Sequence, residues 1–262
     1  MLEWWYHTAI TANNLAVFYE EYGINVSNTQ KSLYRDVNID TVKHYYRISY
    51  HRRPNIKAAC SLAGLAFEEK EYMQALFYYK RALRIKKRPE LFYNLAIQYS
   101  FLKKYDCAIT CLNKALLGLK PTYQREATRL LIYVCCMGGY KNLARDHFRH
   151  YVKSCGEPDL DLLHLAYICQ EYDYIDRYCM TLSGERDLEV IDVELVIHAL
   201  YLVEKKKLAK YFLEKCLKNS HYVGKAEWVE QCENVIEKAE RGVFLEYSPV
   251  LELEPIAHKK MY

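Results

Sequence analysis

Glycine and proline are scarce in this chain, with 9 and 6 residues in 262. So few turn formers exclude a many-stranded sheet and favour an all-helical fold. No apolar run approaches the roughly 18–20 residues that cross a bilayer, so no membrane insertion is expected. The first residues, MLEWWYHTAITANN, lack a basic region, an unbroken apolar stretch and a small-residue cleavage site. Secretion is therefore not expected. Neither sign of charge dominates: 37 Lys and Arg against 33 Asp and Glu leave a formal +4, too little to indicate a nucleic-acid partner. Sequence signatures of catalysis are missing too. There is no H-E-x-x-H, no Gly-rich phosphate loop, no G-x-S-x-G and no kinase set.

Cysteine is plentiful, with 10 residues, but no C-x-x-C occurs. Most cysteines fall within apolar helical patterns, where a free thiol packs as a small hydrophobe. A chain this long needs no disulfide staples, so a reducing, intracellular and cytoplasmic setting is expected, with the nucleus also open. Tyrosine is abundant at 26 residues. Much of it falls at packing positions such as Tyr72, Tyr79, Tyr99 and Tyr105, although tyrosine also suits interfaces.

The informative pattern is a repeat. In ELFYNLAIQYSFLKKYDCAITCLNKALLGLKP (90–121), Leu91, Leu95, Tyr99 and Leu102 recur at helical spacing. After a polar turn at Lys103 and Lys104, Ile109, Leu112, Ala115, Leu116 and Leu119 do so again. Two amphipathic helices joined by so short a turn must run antiparallel. Helices approach closely only where side chains are small, so the alanines mark the contact line. Pro121 cannot continue the second helix and marks its exit. One segment earlier, Leu62, Ala63, Tyr72, Ala75, Tyr79 and Ala82 precede Leu95, Ala96, Tyr105, Ala108, Leu112 and Ala115 by 33 residues each. A third copy near 123–158 carries Leu130, Tyr140, Ala144, Phe148 and Pro158, with one extra residue in its turn. Two weaker copies follow, at 159–182 and 190–218, the latter with Ala209. A period near 34 is that of stacked helical hairpins.

On these residues the chain resembles the tetratricopeptide repeat family. The likeness implies an all-α fold, a right-handed superhelix of stacked antiparallel helix hairpins. The expected organisation is an N-terminal helical segment (1–52), about five hairpins (56–219), a capping helix (224–241) and an extended or disordered tail (243–262). Ala226, Val229, Cys232, Ile236 and Ala239 give the capping helix its apolar stripe, and Gly242 ends it.

Recognition is what the resemblance implies, in a groove lined by the first helices and suited to a protein or peptide. The chain is thus expected to be a non-enzymatic adaptor or assembly subunit, with no cofactor and no metal. One subgroup of the family clamps C-terminal carboxylates. In this chain the corresponding residues are Lys57, Ser61, Asn94, Arg125 and Arg129. Three cations and an amide suit an acidic peptide terminus through charge-assisted hydrogen bonds. Ser61 stands where the family has asparagine, shortening its reach, and Arg125 where it has lysine. The weak fourth repeat and the atypical N-terminal pair leave room for a homodimer.

Smaller features have plainer readings. His147 and His150, at i and i+3, have no third ligand nearby in sequence and read as exposed residues. Cys107 and Cys111, at i and i+4, read as core positions of the second hairpin. The basic stretches HRRP (51–54) and RIKKRPE (84–90) read as solvated turns. An alternative comes from TQKSLYRDVNIDTVKHYYRI (29–48), which superficially resembles a DNA-binding helix-turn-helix with its turn near Asn38 and Ile39. That would make the chain a peptide-responsive transcription regulator, although Tyr34 occupies a place where a small residue is needed.

Overall fold

A computed structural model of the chain describes residues 9–17, 39–154, 160–181, 190–218, 226–242 and 255–256. Among the described residues regular structure is helical throughout. The helices are α1 (residues 9–17), α2 (Ile39–Arg52), α3 (Ile56–Glu68), α4 (Tyr72–Ile85), α5 (Pro89–Phe101), α6 (Tyr105–Leu116) and α7 (Pro121–Met137). Then follow α8 (Lys141–Ser154), α9 (Leu160–Cys169), α10 (Tyr172–Thr181), α11 (Val190–Leu202), α12 (Lys206–Lys218) and α13 (Ala226–Glu240). The chain divides into two units, Met1–Ala127 with Glu252–Tyr262, and Thr128–Leu251. Of the tail, only residues 255–256 belong to the described part.

Helix starts follow from the sequence. Asn55 caps α3, its Oδ1 accepting from the Ala58 N–H at 2.8 Å. Pro89 and Pro121 are the first residues of α5 and α7, where a missing N–H costs nothing. Pro121 was expected to mark the exit of the helix before it. Instead α6 already ends at Leu116 and the proline opens the next hairpin.

Helix ends repeat one device. Lys70, Lys103, Gly139, Gln170 and Glu204 all hold positive φ, from 55° to 83°. At each, two N–H groups turn back on the helix just completed. Lys70 donates to the Phe67 carbonyl and Glu71 to that of Ala66, both at 2.8 Å, and Lys103 and Lys104 bond Ser100 and Tyr99 in the same way. Gly139 and Tyr140, Gln170 and Glu171, and Glu204 and Lys205 complete the series. This is the paired closure that satisfies orphan carbonyls at a helix end. It reverses the chain at each of these turns although only one of the five residues is glycine.

The small residues lie where the repeat puts them. Ala63, Ala75, Ala82, Ala96, Ala108 and Ala115 have no exposed surface, and Leu62, Leu95, Tyr79 and Leu112 are buried around them. At the turn end of the first hairpin, Tyr72 stacks on Phe101 with ring centres 4.5 Å apart, and Phe67 meets both rings edge-on or tilted. That aromatic knot joins α3 and α4 to α5. Gly118 is required where the chain leaves α6, because a Cβ there would stand 2.8 Å from Pro89 Cγ. In the second unit α13 packs against α11 and α12 and buries Val235 and Ala239.

Two sequence expectations change. Cys107 is exposed and Cys111 half-buried, because Ala108, Leu112 and Ala115 take the inward face of α6. Tyr140 is 44% exposed, since it follows the turn glycine and precedes the inward Ala144. The candidate helix-turn-helix falls partly on residues 29–38, outside the described residues. Its described remainder is part of α2, which packs on α3 and buries Val42, Tyr46 and Tyr50, spending that face on the core.

Enlarging a buried contact residue and relieving a turn should act in opposite directions. Ala108→Leu is expected to cost about 1–3 kcal/mol through overpacking. Lys103→Gly removes a left-handed penalty of roughly 1 kcal/mol, part of which returns as unfolded-chain entropy, so the net gain is small. Denaturant titration of both variants checks the signs.

Acid should weaken the second unit. Burial disfavours the imidazolium forms of His147, His164 and His198, and His164 falls from the ordinary 6.5 to about 4. Between those values the unfolded chain binds a proton at His164 that the folded chain refuses. Stability is therefore full above the ordinary histidine range and declines as pH falls toward about 4. His164→Gln should flatten that decline in denaturation curves, and an unchanged slope would count against it.

Candidate functional site

The functional reading centres on α5. This helix buries residues on nearly every side, including Leu91, Tyr93, Leu95, Ala96 and Ile97. Two carboxamides interrupt it, Asn94 and Gln98, each with no exposed surface. At 100° per residue they lie one turn apart on one face, diametrically opposite Ala96. The alanine side packs within the hairpins. The carboxamide side meets the tail.

Asn94 grips the backbone of a single residue from both sides. Its Nδ2 donates to the Ile256 carbonyl at 3.0 Å, and its Oδ1 accepts from the Ile256 N–H at 2.8 Å. A side chain thus supplies the paired bonds that a neighbouring strand would supply in a sheet. The pairing uses no side-chain feature of the guest. Ile256 is itself only 5% exposed. Pro255 precedes it and fixes φ on the approach, which lowers the ordering cost of an extended segment.

The surroundings of Asn94 are dry. Burial pushes the Tyr79 phenol far above its usual range, with the Cys60 thiol adding to the rise and a hydrogen bond from Asn94 opposing it. Cys60 is raised to about 12, chiefly by burial, with Arg88 opposing. Hydrogen bonds in such a place gain strength from the low dielectric, and unpaired polar groups cost correspondingly more. Gln98 has that cost: neither its Nε2 nor its Oε1 has a partner.

The other residues singled out in sequence are distributed more widely. Lys57 and Ser61 are half-buried one turn apart on α3, and Arg125 is exposed on α7. Among the described residues no hydrogen bond or ion pair joins these three to Asn94 or Ile256. Arg129 belongs to the second unit and pairs with Asp161 at 2.9 Å. Of the five, Asn94 alone bonds a described residue of the tail. Gln98 was missed. Its signal was present in sequence as the second amide of an i, i+4 pair in a largely apolar helix.

The second unit holds its own polar cluster. Glu171 is buried and accepts from Arg149 Nε at 3.1 Å, with Arg145 Nε at 3.8 Å. Arg145 Nε also donates to the Cys169 carbonyl at 3.0 Å. Beside it, an open hollow between α10 and the α11–α12 turn carries Asp173, Asp176, Arg177 and Glu204, charges of both signs. His147 is half-buried and His150 exposed, and among the described residues no three His, Cys, Asp or Glu side chains cluster as metal ligands. Among the same residues no helix is long and apolar enough to cross a membrane.

Comparison with known proteins supports the fold. No family model and no curated protein matches the chain. Solved structures do. A tetratricopeptide repeat protein from Parabacteroides merdae aligns over 93% of this chain and 95% of its own, at 15% identity and a TM-score of 0.62. The pilF protein of Pseudomonas aeruginosa aligns over 88% of this chain and 98% of its own, at 17% identity and a TM-score of 0.57. The fold is an all-α array of tetratricopeptide-type hairpins.

An unpaired buried amide is a liability to the folded state. Gln98→Met should therefore stabilise the protein by about 1 kcal/mol, since a buried unsatisfied group costs on that order. Denaturant titration checks it, and a loss of stability would show that Gln98 already has a partner.

Proposed function

We propose that the chain is a non-enzymatic protein-interaction module, an adaptor or assembly subunit, whose first unit holds an extended peptide against α5. The observation that carries this reading is the two-way pairing of Asn94 with the Ile256 backbone. The chain's own tail then stands as a model of the guest. Gln98 supports the same reading. The four residues of helix from Asn94 to Gln98 advance about 6 Å and two residues of an extended strand about 6.6 Å, so the two amides match alternate residues of one peptide. Lys57, Ser61 and Arg125 are the first unit's other polar candidates, and their cations suit an acidic guest such as the LELEPI of the tail.

A guest from another protein competes with the tail. A tethered segment acts at an effective concentration of about 1 mM, so a peptide of intrinsic micromolar affinity is held off by roughly 100-fold or more. The test uses a synthetic peptide of residues 248–262 and the full chain. Ile256→Asp should release the tail and allow tight binding of the wild-type peptide, which the unaltered chain binds far more weakly. Adding Asn94→Ala to that variant should cost at least about tenfold in affinity. Equal binding to all three proteins, or no binding to Ile256→Asp, would overturn the reading. Amidating the peptide reports whether a terminal carboxylate adds a contact with the cations.

A further inference from the structure

The second unit contains a pair of neighbouring free thiols. Cys136, near the end of α7, and Cys169, the last residue of α9, place their Sγ atoms 3.4 Å apart. A disulfide needs about 2.05 Å. The backbones on either side are held. The Cys136 carbonyl accepts from the Gly139 N–H at 3.1 Å within the closing turn of α7. The Cys169 carbonyl accepts from Arg145 Nε at 3.0 Å. Between the same two helices Arg129 pairs with Asp161 at 2.9 Å. The sulfurs thus lie in contact between two held backbones, about 1.4 Å beyond bonding distance.

We propose that Cys136 and Cys169 are an oxidation site, a dithiol that closes to an intramolecular disulfide when a hydroperoxide reaches it. Cys136 is half-buried and therefore reachable, whereas Cys169 is buried. The two thiols are also unlike in acidity. The Cys169 thiol hydrogen-bonds to the Cys136 sulfur and lowers its pKa, with Lys141 and Arg145 acting in the same direction against burial. Cys169 is pushed strongly up by that same bond and by burial. Burial raises Cys60 to about 12 and Cys111, Cys135 and Cys216 to about 11. Of the cysteines shifted by their surroundings, Cys136 is the one moved toward the thiolate.

The chemistry balances with the peroxide as sole oxidant. The Cys136 thiolate attacks one peroxide oxygen, the O–O bond breaks, and the leaving alkoxide or hydroxide takes a proton. Cys136 is now a sulfenic acid. The Cys169 sulfur attacks the Cys136 sulfur, the S–OH bond breaks, and the hydroxide leaves as water with the Cys169 proton. Two thiols and one hydroperoxide give one disulfide, one water and one alcohol, or two waters when the oxidant is hydrogen peroxide. The product would tie α7 to α9 across the third hairpin.

The test treats the reduced full-length protein with one equivalent of hydrogen peroxide, blocks free thiols and maps peptides without reduction. The expected product is a cross-linked pair of peptides containing Cys136 and Cys169, about 2 Da lighter than the two thiols. Before oxidation, Cys136 should alkylate about tenfold faster than Cys60 or Cys216, or more. In Cys169→Ser, folded as judged by circular dichroism, Cys136 should instead accumulate as a sulfenic acid that dimedone traps. Recovery of both cysteines as free thiols after peroxide would overturn the proposal. So would a bridge from Cys136 to Cys135. The wild-type map decides the matter by itself if the serine variant does not fold.

Discussion

The close approach of helices at fully buried alanines is the constraint from which the arrangement of α5 follows. Ala75, Ala82, Ala108 and Ala115 have no exposed surface and stand where α4 and α6 carry their inward faces. A larger side chain at any of them would push neighbouring backbones apart by more than packed interiors tolerate. Because α5 packs against both α4 and α6, its rotation about its own axis is fixed by these contacts. Ala96 faces the packed side. Asn94 and Gln98, half a turn away in azimuth, then have one direction left, and Ile256 lies in it. The position of the carboxamides is a consequence of where the alanines are.

The same contacts explain why the site is dry. A helix that is apolar all round can persist only where something covers each side. For α5 the cover on the carboxamide side includes Ile256. Asn94 recovers its desolvation cost through the paired bonds to the tail, whereas Gln98 does not. A protein built for stability alone would have an apolar residue at 98.

Much of the fold was legible because it rests on local rules repeated at a fixed interval. Leucine and alanine positions 33 residues apart were readable, and every one of those pairs proved buried apart from the half-buried Tyr72 and Tyr105. The left-handed turn residues were not readable, since lysine, glutamine and glutamate occupy four of the five positions. Those residues adopt positive φ because the two returning hydrogen bonds and the packing of both helices impose it, and nothing in their own chemistry announces it. Cys107 and Cys111 were misplaced because helical spacing alone does not say which of two apolar stripes turns inward. Asn94 was singled out in sequence, but its partner in the structure, Ile256, was not. Pairing residues 94 and 256 is a long-range event that no local pattern encodes, although the alternating apolar and acidic residues before Pro255 hinted at an extended segment.

The most direct measurement is hydrogen exchange at a single backbone amide. If Asn94 holds the tail, the Ile256 N–H is bonded to its side chain and shielded from water, and in the Asn94→Ala protein it is not. The account predicts slow exchange of that amide in the unaltered chain, followed by NMR, and acceleration toward the rate of an unstructured peptide when Asn94 is removed. Free exchange at Ile256 in the unaltered protein would contradict it.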